Sequence, residues 1–196
     1  MTRIETVFAE TVAAHHATLQ RSAAAIQQAA DLMRESLSRG GKILAFGNGG
    51  SAADSQPVAA ELVNRFRIER RAFAALALTT DTSVLTSIAN DSDYARVFAR
   101  QIEALGRPGD VALGISTSGR SSSVLTAFEQ ARAQSLKAIA LLGPDPSAVS
   151  SLADICILVP ASSTARVQEV HRTILHVLCE LLESGSAWAP HSSSGT

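Results

Sequence analysis

Ile43-Leu44-Ala45-Phe46-Gly47-Asn48-Gly49-Gly50-Ser51 is the stretch on which the fold turns. Lys42 to Phe46 reads as a short strand, apolar on both faces, which is the pattern of a strand inside a parallel sheet covered by helices on two sides. The small residues behind it read as a tight turn that opens a helix. The same order recurs at Asp110–Ser116, where Ser116-Thr117-Ser118-Gly119-Arg120-Ser121 follows an apolar run. Ligands of parallel sheets bind beyond the carboxyl ends of the strands, and both loops fall there. Small residues leave backbone N–H groups accessible at a helix N-terminus, the place that holds anions. Asn48, Gly49, Gly50 and Ser51 in one loop, and Ser116, Thr117, Ser118 and Ser121 in the other, are therefore candidates for a phosphorylated or polyhydroxylated ligand. Four hydroxyls within six residues exceed the one or two that capping needs.

Working outward, further strands are expected at Ala74–Thr79, Lys137–Leu142 and Ile155–Val159. Helices are expected over Asp81–Ala89, Tyr94–Leu105, Ser121–Gln134 and about Thr164–Leu182, and from Ser51 or Asp54 to about Arg65. The first forty residues carry Ile4, Phe8, Val12, Ala25, Ile26, Ala29, Leu32, Met33 and Leu37 at helical spacing. They read as two helices with a break near His16–Leu19, ended by Gly40-Gly41. The fold class is α/β: a five-stranded parallel sheet flanked by helices, with N-terminal helices for oligomer packing. Residues 1–183 form one domain, of which 1–39 is the helical part. Residues 184–196, rich in Ser and Gly, are expected to be a disordered tail.

Composition narrows the function. The chain has 196 residues, 46% hydrophobic but only 4% aromatic, so it offers no aromatic platform for bases. A formal net charge of −1 argues against a large basic nucleic-acid surface. The cluster Arg65, Arg67, Arg70 and Arg71 reads as a solvated helix end or a salt-bridged interface. Cys156 and Cys179, the only cysteines, read as small core residues, and their sparseness fits a reducing compartment. No stretch has the pattern of a signal peptide or the ~20 apolar residues of a membrane span, so cytoplasmic location is expected.

Gly47-Asn48-Gly49-Gly50-Ser51-Ala52-Ala53-Asp54 lacks the spacing of a dinucleotide fingerprint and the terminal Lys of a Walker loop. On the C-terminal helix, Gln168 and His176 are eight apart and share a face. A lone His on an apolar helix face is usually a hydrogen-bonded core or interface residue; with Gln168 on the same face and Glu61 elsewhere, His176 is a candidate for an acid/base or metal role.

The order GNGGSAAD, AAELVNRF, LTTDTSVLTSIAND, ALGRPGDV, GISTSGRS and RVQEVH resembles the sugar isomerase (SIS) domain family, and within it the phosphoheptose isomerase group, over residues 1 to 183. The resemblance implies an aldose–ketose isomerase that converts sedoheptulose 7-phosphate to D-glycero-D-manno-heptose 7-phosphate through an enediol, in heptose supply for lipopolysaccharide or another glycoconjugate. It places the carbon base on Glu61 and its acid/base partner on His176. It places substrate contacts on Asn48, Gly49, Gly50, Ser51, Arg65, Asn90, Asp91, Gln168 and the four hydroxyls of the second loop. It also implies a homotetramer with sites shared between subunits. Zinc-binding relatives use a His four residues before the Glu; here that position is Pro57. Glu61, Gln168 and His176 remain as a weakened zinc set, and a metal-free reaction by Glu61 and His176 is also open. Pro57 inside a helix would cost about 3 kcal/mol; a start at Asp54 or Ser55 would place it in the first turn. Gly143-Pro144-Asp145-Pro146 replaces the usual Gly-rich loop, and Arg120 stands where Asn is common. The same group holds the non-catalytic DnaA initiator-associating proteins, so the alternative is a regulator or phosphosugar-binding protein that contacts the replication initiator.

Overall fold

In the computed structural model, which describes residues 2–184, five parallel strands form one sheet in the order β2-β1-β3-β4-β5. The strands are β1 (Ile43–Gly47), β2 (Ala75–Ala77), β3 (Val111–Ser116), β4 (Lys137–Leu142) and β5 (Ile155–Leu158). The helices are α1 (Arg3–Ser38), α2 (Gly50–Val63), α3 (Thr82–Asp91), α4 (Ala99–Leu105), α5 (Ser122–Ala133) and α6 (Thr164–Glu183). The expected α/β class and five-stranded parallel sheet are thus present.

Side chains alternate across the strands with a period of two. Ile43, Ala45, Leu113, Ile115, Ile139, Leu141 and Ile157 face α1, α2 and α6. Leu44, Phe46, Ala112, Ala138, Ala140 and Leu142 face the layer of α3, α4 and α5. On that side the rings of Phe98 and Phe128 each lie 5.5 Å from the ring of Phe46. Gly114 has no side chain because Phe128 occupies the space a Cβ would need.

Three local expectations change. The first forty residues form one helix rather than two. Its start is a capping box, with Glu5 N donating to Thr2 Oγ1 and Thr2 N to Glu5 Oε2. The region of the expected break is tied down by long-range contacts. His15 reaches Thr173 Oγ1 at 2.9 Å, and Ser22 Oγ donates to Leu158 O at 2.7 Å. The expected Tyr94–Leu105 helix divides into a 3-10 turn at Tyr94–Arg96 and α4. The second strand is only three residues long, as an edge strand can be. The tail beyond Ser184 lies outside the described residues.

The strand order reverses between β1 and β3, and such a switch point opens a crevice at the carboxyl ends of the two strands. Gly47 at the end of β1 is in register with Ile115 of β3. The loops expected to bind a ligand therefore leave neighbouring strands side by side.

Candidate active site

Asn48 joins the two loops. Its Nδ2 donates to Ser121 Oγ at 2.7 Å and to Ser123 Oγ at 2.9 Å, and its Oδ1 accepts from the Tyr94 hydroxyl at 2.9 Å. Ser121 and Ser123 are themselves 3.1 Å apart. Ser116 Oγ accepts from Gly119 N at 3.1 Å, closing the turn, and Gly119 has a φ of +61° that favours glycine. Thr117 and Ser118 are left facing a cleft of ≈ 520 Å³ that runs to Asp145, Pro146 and Ser147, with Arg120 on its rim. The loop is a turn of hydroxyls set ahead of the N-terminus of α5. Tyr94 and Ser123 were not singled out in the sequence; their roles depend on Asn48 reaching across from β1.

The helix after the first loop begins at Gly50, with Gly49 as its cap, so neither Ser51 nor Asp54 caps it. Pro57 is inside α2 rather than in its first turn, and the later start is not adopted. α2 nevertheless runs on to Val63, and Glu61 lies one turn beyond the proline.

α2 and α6 lie side by side and meet at three levels. Gln168 fills the space over Gly50, so that a Cβ there would collide with its amide. Arg172 Nη2 pairs with Asp54 Oδ1 at 2.6 Å, and its Nε donates to the same oxygen at 2.8 Å. Asp54 is buried, which raises its carboxyl above the ordinary value, while Arg172 and His176 pull it back. At the third level His176 Nε2 is 3.5 Å from Glu61 Oε1. Phe66 stacks on the His176 ring with centroids 5.3 Å apart. Cys179 Sγ donates to Glu61 Oε2 at 3.4 Å.

Phe66 is held by a strap. Glu183 accepts from the backbone N–H of Phe66, Arg67 and Ile68 at 2.7 to 3.2 Å and pairs with Arg70 Nε at 3.1 Å. Arg70 lies over the Phe73 ring and donates through Nη2 to Glu61 O at 2.8 Å. Of the arginine cluster, Arg70 is thus a buried structural residue, while Arg65 and Arg67 are exposed.

The structure brings Glu61 and His176 together and joins Asn48 to Ser121. No hydrogen bond or ion pair among the described residues joins Arg65, Asn90 or Asp91 to them. Arg65 is 3.7 Å from Glu69, and Asn90 Nδ2 donates to Asp91 Oδ1 at the exposed end of α3. Glu61 and His176 do not line the cleft of the hydroxyl loop.

A resident zinc does not fit the donors as placed. Pro57 offers no donor, and the Gln168 amide sits at Gly50, at the opposite end of α2 from Glu61. Among the described residues no three His, Cys, Asp or Glu side chains group to hold a metal. Glu61 and His176 alone fall short of the three protein ligands of a catalytic zinc.

The model of the SIS domain matches residues 7–143. The chain is 57% identical over 162 residues to the phosphoheptose isomerase of Thiobacillus denitrificans, covering 81% of this chain and 82% of that protein. It superposes on the structure of phosphoheptose isomerase GmhA from Neisseria gonorrhoeae with a TM-score of 0.89 at 42% identity, covering 93% of this chain and 98% of that one. The structure of a phosphoheptose isomerase from Francisella tularensis gives 0.91 at 36% identity, covering 94% and 100%. The chain belongs to the SIS-domain family, among the phosphoheptose isomerases.

Proposed function

We propose that this protein is an aldose–ketose isomerase that interconverts sedoheptulose 7-phosphate and D-glycero-D-manno-heptose 7-phosphate. The observation that carries the reading is the pair Glu61–His176, held 3.5 Å apart across α2 and α6 in a chain of this family. In the forward direction Glu61 removes a proton from C1 of the ketose while the C2 carbonyl oxygen gains one, giving the enediol. O1 then loses its proton and C2 receives one, which leaves an aldehyde at C1. His176 moves the proton between O1 and O2, because a neutral imidazole can give at one nitrogen and take at the other. Stacking on Phe66 fixes the ring for that exchange.

The 7-phosphate is assigned to Thr117, Ser118 and the N-terminus of α5, with Ser116 and Ser121 shaping the turn. Anchoring a remote phosphate holds the reacting carbons at the base and supplies binding energy for the chemistry. Contacts to the sugar are assigned to Asn48, Gly49, Gly50, Ser51 and Gln168.

A homotetramer is part of the same proposal. Ile4, Phe8, Val12 and Leu19 form an exposed apolar stripe on α1, from 64% to 72% exposed, which a partner would cover. Asn90 and Asp91, at the exposed end of α3, would then meet substrate held by a neighbouring subunit, and Arg65 follows α2 with its side chain exposed. Cytoplasmic location is part of the proposal; no helix among the described residues is long and apolar enough to cross a membrane. No step of this mechanism is routed through zinc. The regulator reading rests on Pro57, and α2 carries Glu61 to His176 despite that residue. Turnover of sedoheptulose 7-phosphate by purified protein, lost in Glu61→Gln, tests the proposal.

A further inference from the structure

Both carboxylate oxygens of Glu61 have a neighbour on α6, and the two neighbours are three residues apart on one helix face. His176 faces Oε1 at 3.5 Å, and the thiol of Cys179 donates to Oε2 at 3.4 Å. Cys179 is 1% exposed, so its thiol has no competing water partner. A thiol is a hydrogen-bond donor, and this one points its S–H at the carboxylate. The Glu61 backbone is fixed separately by Arg70. Pro57, one turn earlier, supplies nothing to the carboxylate.

We propose that Cys179 is a positioning residue for the isomerisation: its S–H holds Oε2 of Glu61 so that Oε1 stands beside His176. This rests on the assignment of Glu61 as the carbon base.

The test uses the full-length protein and the variants Cys179→Ala and Cys179→Ser. Loss of one hydrogen bond to a reacting carboxylate is expected to lower kcat roughly tenfold in Cys179→Ala, with KM near the wild-type value. Cys179→Ser keeps a donor and recovers most of that loss. Infrared spectroscopy supplies a readout that does not need turnover. The S–H band that vanishes in Cys179→Ala should move to higher wavenumber in Glu61→Ala, where the acceptor is gone. A kcat unchanged in both cysteine variants overturns the proposal, as does a Cys179 band that Glu61→Ala leaves in place. If the wild type turns over no sedoheptulose 7-phosphate, the isomerase reading fails, and the band alone decides whether the thiol holds the carboxylate.

Discussion

Arg172 of α6 grips Asp54 of α2 at 2.6 Å, about two helical turns ahead of Glu61. The two ends of this pair differ: Asp54 is 5% exposed, whereas the Arg172 side chain reaches solvent. The pair sets how α2 and α6 lie against each other, and so where Glu61 meets His176. Removing the arginine leaves a buried carboxylate with no partner, and removing both does not. We expect Arg172→Ala to destabilise the fold by about 1–2 kcal/mol, since the arginine end is open to solvent, and Asp54→Asn combined with it to restore part of that loss. Urea denaturation of the two variants checks this.

Glu183 should carry part of the acid sensitivity. Burial pushes its carboxyl up, but the three backbone N–H groups and Arg70 outweigh that and hold it below the ordinary value. A carboxyl with a depressed folded value stabilises above its unfolded value and loses that contribution as pH falls through the folded one. The wild type should therefore lose more stability than Glu183→Gln as pH falls below about 4.5. At neutral pH, Glu183→Gln should cost about 3–5 kcal/mol by leaving Arg70 buried without its partner. Activity should fall as well, since Phe66 would no longer be held on His176.

His171 gives an opposite case of a group kept neutral. It is fully buried, with Nε2 at 3.0 Å from Leu142 O, and burial lowers its value to about 4. Between about pH 6.5 and 4 the unfolded chain binds a proton that the folded one does not, so stability falls as pH falls. His171→Gln should lessen that slope by at most about 1.4 kcal/mol per pH unit. Unfolding curves at several pH values read it directly.

Gly143 tests the hydroxyl loop from behind. A Cβ there would collide with the Thr117 carbonyl oxygen, so the backbone must shift. Gly143→Ala should raise KM for the phosphorylated sugar and leave inorganic phosphate a weaker inhibitor, with a smaller effect on kcat. An unchanged KM would separate this loop from the phosphate.

The sequence showed the sheet and both loops because these signals are local. Ile43–Phe46 and Val111–Ile115 are apolar on both faces, and glycines mark the hand-over to each helix. The α2–α6 seam was less legible. Cys179 reads as one more apolar residue, and only the fold shows that its neighbour is Glu61. Asp54 reads as a cap because it follows a glycine turn, yet its partner is 118 positions away in Arg172. The continuity of α1 through His16–Leu19 is not legible in the sequence for the same reason, since His15 and Ser22 find their partners in α6 and β5.

The central claim is that Glu61 and His176 form the proton-transfer pair of a phosphoheptose isomerase. NMR observation of sedoheptulose 7-phosphate with purified protein, with and without a chelator, tests it most directly. The account predicts conversion to the aldose phosphate that the chelator does not abolish and that Glu61→Gln lowers by about three orders of magnitude. A folded wild-type protein that leaves the ketose untouched, or a Glu61→Gln variant that converts it as fast, would contradict the account.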